Sequence, residues 1–359
     1  MVKDSHPSPD RSTVNRRTYL KASGLAVGGV ALAGCSDLAG GGDDETIEIA
    51  DFLPETHHIR EHNLLPWVDR VEELMDGDVE FELYFGEEMG SENEMLSLAR
   101  DQVVDISIVS PAYNPAELQL AQVATLPATF DDPEVGNAAY WDVTEEILYE
   151  EELTDLDLRP VLSTVEAPYQ VYHEGPQIIE LDDWSGRNVR SAGGYMSVAI
   201  DALGGTPNDI SSVDQFSAHE RGVVDANLQA EPSFESWDIY QFMEYGTTNV
   251  NTSSWSAHWV THEDNFDSYS DELQDAMLTA AEEMAPATGA AYRDEEVEPL
   301  REYFRDQGIE LYEVPDQQLQ DWNDALADVQ DEWIEEVEDN DLPGQQTFDR
   351  FEELISQYN

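Results

Sequence analysis

Lysine is almost missing from this chain. Its 359 residues hold only Lys3 and Lys21, so every fixed positive charge beyond residue 21 is an arginine. Basic residues of any kind are scarce: 16 Lys and Arg face 79 Asp and Glu, a formal net charge of −63. A surface this negative repels nucleic acid and anionic lipid, which argues against both as partners. Cysteine occurs once, at Cys35. That excludes a disulfide within the chain and any Cys-based metal site. Long apolar runs are lacking too. The most apolar stretch, Gly24 to Ala33 (GLAVGGVALA), falls far short of the roughly 20 residues that span a bilayer. No internal repeat of fixed period is present.

That short stretch has a different reading. Asn15-Arg16-Arg17-Thr18-Tyr19-Leu20-Lys21 precedes it, and Leu32-Ala33-Gly34-Cys35 closes it. A charged start, a short apolar core and a small-residue cleavage site form an export segment rather than a membrane anchor. The paired arginines point to the twin-arginine route. The closing box is similar to a lipoprotein processing site, with Cys35 as the lipidated N-terminus. Residues 1–35 are therefore expected to be the signal. Residues 36–45, with Gly40, Gly41 and Gly42, are expected to be a flexible tether. The working site would be the outer face of the cytoplasmic membrane, with anchoring through Cys35.

High net charge also favours disorder. Hydrophobic residues nonetheless reach 40%, and aromatic residues run through the chain, enough to build a core. The acidic excess resembles that of proteins from salt-loving organisms, in which concentrated salt shortens electrostatic range to about 3 Å at 1 M.

Alternation predicts strands at 46–53, 79–85, 159–165 and 169–173, and short buried strands at 103–109, 188–190 and from Gly222 to Asp225. Helical spacing predicts helices at 59–75, 92–100, 196–203, 213–221, 271–284, 290–307 and 317–338. The β-α-β-α-β order argues for an α/β lobe with a largely parallel sheet. Just over 300 residues after the signal suggest two lobes.

Six segments, in order, carry a family resemblance. They are GEEMGSENEML from Gly86, DISIVS from Asp105, LPATF from Leu126, DDWSGRNVR from Asp182, LGGTP from Leu203 and RGVVDA from Arg221. From about Thr46 onward the chain resembles the DctP-type solute-binding proteins of tripartite ATP-independent periplasmic (TRAP) transporters. The resemblance implies an α/β, two-lobed periplasmic-binding-protein-like fold with hinge crossovers and a long bracing helix. Lobe I is expected from 46–166 plus about 256–297, and lobe II from 167–255 plus about 298–359. It also implies capture of a small organic acid in the interlobe cleft and delivery to a TRAP permease. No chemical turnover and no cofactor is expected.

By the same resemblance, Arg190 takes the ligand carboxylate. A guanidinium is planar, always charged and matched to a carboxylate. Its alternative role is a surface arginine paired with one of the many acids. Ser110, Tyr113, His58, Asn227, Gln229, Trp255 and Tyr172 are the other expected ligand contacts, with His57 beside His58. His58 and His62 stand i, i+4, a spacing that can hold a metal on a helix; no third ligand is evident, and no metal is expected.

Departures from the family pattern narrow the ligand. Ala226 follows Asp225 where relatives carry glycine, and Ser191 to Gly193 follow Arg190. The strand around Tyr169 to Tyr172 lacks a second arginine. These features point to a monocarboxylate such as a 2-oxo or hydroxy acid. An exported hydrolase, the binding protein of another importer and a receptor for a non-carboxylate solute are the rival readings; no Gly-x-Ser-x-Gly elbow supports the first.

The charge excess sets an expectation about salt. The thermal unfolding midpoint of the purified protein should climb by several degrees as NaCl goes from about 0.1 M to about 2 M, because screening relieves self-repulsion. A midpoint that stays level or drops would contradict that reading.

Overall fold

The computed structural model describes residues 45–359. Cys35, the export segment and the tether up to residue 44 lie outside the described residues. Among the described residues eleven strands are present: β1 (Glu45–Ala50), β2 (Val79–Tyr84), β3 (Ile106–Val109), β4 (Leu158–Val165), β5 (Gln170–His173), β6 (Asn188–Ser191), β7 (Thr206–Asp209), β8 (Ala226–Gln229), β9 (Tyr245–Thr247), β10 (Ser256–His262) and β11 (Glu310–Tyr312).

They form two sheets. The first runs β2-β1-β3-β10-β4 and the second β11-β9-β5-β8-β6-β7. In the first, β1, β2 and β3 are parallel, as the β-α-β-α-β order predicts. β10 then inserts antiparallel between β3 and β4. In the second, β6 is parallel to β7 and β8, while β5 runs antiparallel to β8 and β9. Each sheet is therefore mixed: β10 in the first and β5 in the second arrive from the other lobe and run against both neighbours. The strand expected at 222–225 starts later, at Ala226. Gly222 is in a left-handed turn at φ 65°, and the Asp225 N–H donates to Asn188 O at 2.9 Å, which starts the pairing.

Helices cover the first sheet. Pro133–Val143 begins with Asp132, whose carboxylate accepts from the Glu134 N–H at 2.9 Å, and with proline at its first position. Asp271–Ala291 starts at Ser270, whose hydroxyl accepts from the Leu273 N–H at 3.2 Å. Both pack on β4, whose eight residues are all buried. Asn63 ties this layer together. Its amide donates to Ser163 O (3.1 Å) and the Thr288 hydroxyl (3.2 Å), and its Oδ1 accepts from the Trp259 indole (3.0 Å). A buried polar group is tolerated when its donors and acceptor are used in this way.

The chain passes between lobes along a short two-stranded ribbon. Glu166 N–H donates to Trp255 O at 2.9 Å and Tyr169 N–H to Ser253 O at 2.8 Å. The Ser254 hydroxyl donates to Glu166 O at 2.9 Å. A helical passage follows: a π-helical turn, Tyr292–Val297, leads into the helix Glu298–Gln307, which packs Leu300 and Phe304 into the second lobe's own apolar cluster. The acidic helix Asp316–Asp339 braces both sides. Its Trp322 indole donates to Ile179 O (3.1 Å) beside the second sheet, and its Trp333 indole donates to Gln119 O (3.0 Å) on the first-lobe side.

The last helix, Gly344–Tyr358, departs from the expected partition. The sequence reading placed residues 298–359 with lobe II. Here Arg350 grips Glu146 (2.5 and 2.8 Å) and the Tyr358 hydroxyl donates to Asp142 (2.6 Å), both beside the first sheet. Its Phe348, Phe351, Leu354 and Ile355 stripe is buried and supplies the reason: that apolar face packs on the helix Pro133–Val143.

The contact between helices 133–143 and 271–291 leaves no room for a side chain at Gly289. A Cβ there would lie 2.0 Å from Pro133 O and 2.4 Å from Glu134 N. Gly289→Ala is therefore expected to cost about 1–3 kcal/mol or more through forced separation of the helices. Urea unfolding midpoints in molar salt measure it, and an unchanged midpoint would mean the helices slide apart freely.

Candidate functional site

Loops at the ends of the strands converge where the two sheets face one another across the ribbon. In open α/β sheets the carboxyl ends of strands are where ligands collect. Phe52 and Leu53 follow β1, Tyr113 follows β3, Arg190 lies near the end of β6 and Gln229 ends β8. Glu166, Tyr169 and Trp255 come from the ribbon itself. These residues, with His57, Ile59, Ala192, Ser212, Ser233 and Trp237, line a cavity of about 290 Å³, counting its open mouth.

Arg190 dominates its electrostatics. It is 1% exposed. Nε donates to Ile210 O at 3.0 Å and Nη2 to the Ser212 hydroxyl at 3.2 Å. Among the described residues no carboxylate forms an ion pair with it, whereas Arg60, Arg70, Arg159, Arg293, Arg301 and Arg350 each have one at 3.0 Å or less. A buried guanidinium without a carboxylate, in a chain this acidic, is a charge held ready for an anion.

Two acids stand nearby and both are kept from closing on it. Glu166 is 2% exposed and has its own donors. His58 Nε2 lies 2.8 Å from its Oε1, the Ser233 hydroxyl donates to Oε1 at 2.5 Å, and the Tyr169 hydroxyl donates to Oε2 at 2.6 Å. Glu92, just before the helix Met95–Arg100, accepts from the Ser212 N–H at 3.3 Å. Burial pushes its pKa up to about 7, with the Arg190 charge pulling the other way. The Tyr113 hydroxyl bonds the Ser212 hydroxyl at 2.7 Å, so Ser212 joins Arg190 to the first lobe. Burial holds His57 well below its usual pKa, with His58 and Arg60 adding to the effect, so it adds no second positive charge to the lining.

The expected contacts divide into two groups. Arg190, Tyr113, Gln229 and Trp255 line the cavity, and so does His57. The other four stand behind it. Ser110 folds back on its own turn, where its hydroxyl accepts from the Ala112 N–H at 3.2 Å. His58 is turned to Glu166 and, through Nδ1, lies 3.3 Å from the Ser236 hydroxyl. Asn227 donates to Gln215 at 3.0 Å. Tyr172 is packed among Phe234, tilted to it, and Phe304, edge-on to it, with ring centroids 4.3 and 5.7 Å away. Its strand carries it into lobe II's core rather than the cleft.

Sequence reasoning passed over Glu166, Tyr169 and Trp237. The first two flank Ala167-Pro168 between two predicted strands, and an acid in that interrupted position was the available signal. Trp237 is set edge-on to His57, with centroids 5.6 Å apart, and carried no signal.

His58 and His62 do not act as a pair. His62 Nε2 bonds Glu296 at 2.8 Å. With Glu61 these two bring ligand atoms within 4.8 Å of one another, the one such grouping found among the described residues. A second, larger groove of about 800 Å³ runs past Trp141, Asp142, Glu145, Glu146, Asp275 and Glu282. Its acidic rim makes it unsuited to an anion, so we assign function to the smaller cavity.

Comparison with known proteins fits this geometry. The model of the family described as bacterial extracellular solute-binding protein, family 7 (DctP) matches residues 49–336. A solute-binding protein of Sulfitobacter sp. (strain NAS-14.1) is 24% identical over 301 residues, covering 83% of this chain and 87% of its own length. Among solved structures, a TRAP periplasmic solute-binding protein from Bordetella bronchiseptica with bound (R)- and (S)-mandelate superposes with a TM-score of 0.80 at 21% identity, covering 88% of this chain and 99% of that one. A marine metagenome TRAP solute-binding protein specific for aromatic acid ligands, in complex with 3-hydroxybenzoate, gives 0.82 at 20% identity with the same coverage. At these identities the structural likeness establishes the fold.

Glu92 yields a pH expectation. Its pKa stands near 7 in the folded state against an ordinary 4.5, so between those values the folded protein keeps a proton that the unfolded chain has released. Stability from this group is present at low pH and is lost as pH rises through about 7. Asp51, raised to about 7, and Glu152, raised to about 8, act in the same direction. Read relative to Glu92→Gln at fixed molar salt, which cancels the opposing contributions of the buried histidines, the wild-type unfolding midpoint should therefore fall from about pH 5 to about pH 8. Parallel slopes for the two proteins would remove Glu92 from the account.

Proposed function

The chain belongs to the DctP family, the family-7 bacterial extracellular solute-binding proteins, and from that premise we propose that it captures a small organic monocarboxylate in the cavity around Arg190 and hands it to a TRAP-type permease. The buried, carboxylate-free Arg190 carries this reading. An incoming carboxylate supplies the counter-charge that no acid among the described residues provides, and its two oxygens match the paired donors of the guanidinium. Tyr113, Gln229 and Trp255 contact the rest of the ligand. Ser110, His58, Asn227 and Tyr172 support the walls from behind. Solved relatives with bound mandelate, 3-hydroxybenzoate and benzoate support an organic acid as the ligand class.

The protein works by binding and release, without turning its ligand over. We further propose export by the twin-arginine route and anchoring through a lipid on Cys35, which places it on the outer face of the cytoplasmic membrane. The arginine pair at Arg16 and Arg17 and the box ending at Cys35 support this. Among the described residues no helix is long and apolar enough to cross a membrane. The charge of −63 supports operation in concentrated salt.

Titration calorimetry of the purified protein in molar salt, against a panel of small monocarboxylates, tests the proposal. At a hundredfold excess over Kd, a true ligand adds about 2.7 kcal/mol of stability by mass action. Arg190→Ala should weaken binding by about 2–5 kcal/mol, the usual loss when one side of a buried charge pair is cut away. Equal affinity in the two proteins would refute the carboxylate role of Arg190.

A further inference from the structure

An acid sits one residue behind Arg190. Glu92 belongs to the first lobe, just ahead of the helix Met95–Arg100, and is 3% exposed. Its Oε2 accepts from the Ser212 N–H at 3.3 Å. The hydroxyl of the same Ser212 accepts from Arg190 Nη2 at 3.2 Å and bonds the Tyr113 hydroxyl at 2.7 Å. Ser212 thus holds the carboxyl with its backbone and the guanidinium with its side chain. Glu87, after β2, and Asp214, two residues past Ser212, face Glu92 with the same sign of charge, and burial keeps Tyr113 neutral. Arg190 is the cation that acts on it. One guanidinium is therefore the counter-charge of a buried acid and, in the reading above, of the ligand as well.

We propose that Glu92 makes anion capture proton-linked: a carboxylate that takes Arg190 draws one proton from solvent onto Glu92. This rests on the carboxylate reading above and adds a residue to it. Like charges that share a site raise one another's pKa, and a buried acid sheds its charge rather than carry it unpaired. The ligand brings a negative charge and offsets the pull of Arg190, so both effects favour the neutral acid. A protonated carboxyl still has an oxygen that accepts, so the bond from Ser212 survives the change. The proton enters from solvent on capture and returns to it on release.

Burial already raises Glu92 to about 7 without a ligand, against the pull of Arg190. The exchange therefore falls in the ordinary pH range. Other groups near Arg190 titrate elsewhere. Burial and the Arg190 charge lower His219 to about 4, and burial holds His57 well below its usual value and Tyr169 well above. Asp51, also near 7, answers to burial and to Arg60 at 3.0 Å rather than to Arg190. Affinity should be full at low pH and weaken as pH rises through about 7, because the free protein has then lost the proton that the complex keeps.

Calorimetry on the purified protein in molar salt tests this. Acetate, lactate, pyruvate, benzoate and mandelate are the probes, and the tightest is carried forward. Its Kd should rise about five- to tenfold from about pH 6 to about pH 8. Titrations near about pH 7.5 in MOPS and in Tris, whose ionisation enthalpies differ, should count roughly half a proton or more taken up per ligand. In Glu92→Gln the Kd should stay level with pH and the proton count should fall to near zero. A purely structural role would shift Kd alike at every pH and leave the count alone. A level Kd with no proton taken up by the wild-type protein, or uptake that persists in Glu92→Gln, overturns the linkage while carboxylate capture stands. No binding of any probe even at the low-pH end would instead remove the carboxylate reading, and this inference with it.

Discussion

Everything around the cleft is arranged so that one buried guanidinium stays charged and free. Removing Arg190 from water is expensive, and the cost is normally met by a nearby acid. This chain has acids in abundance, yet none pairs with Arg190 among the described residues. The backbone carbonyl of Ile210 and the hydroxyl of Ser212 hold it instead. These dipoles orient the guanidinium without neutralising it. A carboxylate in their place would hold the arginine more strongly, but a ligand would then have to compete with it.

That constraint explains the two nearby acids. Glu166 is placed where an anion is unwelcome, so it is given three donors of its own from His58, Ser233 and Tyr169. Those donors come from both sides of the ribbon: His58 follows β1 of the first lobe, and Ser233 follows β8 of the second. The bonds that satisfy the acid also fasten the lobes together at the pivot. Glu92 is handled differently. Burial makes its charge costly, and its pKa near 7 lets it stand protonated over much of the ordinary range. Through Ser212 it nevertheless links the first lobe to the loop that holds Arg190. The acids nearest the site thus serve as structure and leave the positive charge uncontested.

Much of the frame could be read from residues alone. Alternation around Val79 and the long acidic run ending near Glu338 gave a strand and a helix close to those observed, and the short strand holding Arg190 was visible as Asn188 to Arg190. The crossovers were harder. β10 has all but its last residue buried, with no polar alternation to mark it, and Trp255 just before it reads equally as core. The helix Pro133–Val143 is buried along most of its length, so it shows no polar face. At the site, Arg190 and Gln229 were named through the family resemblance, and both stand at or near the ends of strands that border the cavity. Asn227, two positions earlier on the same strand, was not distinguishable from Gln229 by type or spacing. Only the packing of Gln215 against it separates them. Glu166 and Trp237 became neighbours of Arg190 through the folding of the ribbon, over separations that no local pattern encodes.

The proposed function raises the question of how a protein of charge −63 would attract an anion at all. The answer lies in the different reach of its two electrostatic environments. Surface carboxylates act through solvent, and in molar salt their field decays within about 3 Å. An approaching carboxylate therefore meets a nearly neutral exterior. Arg190 acts at contact range inside a site walled by Phe52, Trp237 and Trp255, where mobile ions do not enter and the local dielectric is low. Salt thus removes the unfavourable long-range part of the interaction and spares the favourable short-range part. The same screening relieves the self-repulsion that opposes folding. Acidic exterior and cationic interior are then compatible in concentrated salt, and the buried arginine needs no basic surface to serve it.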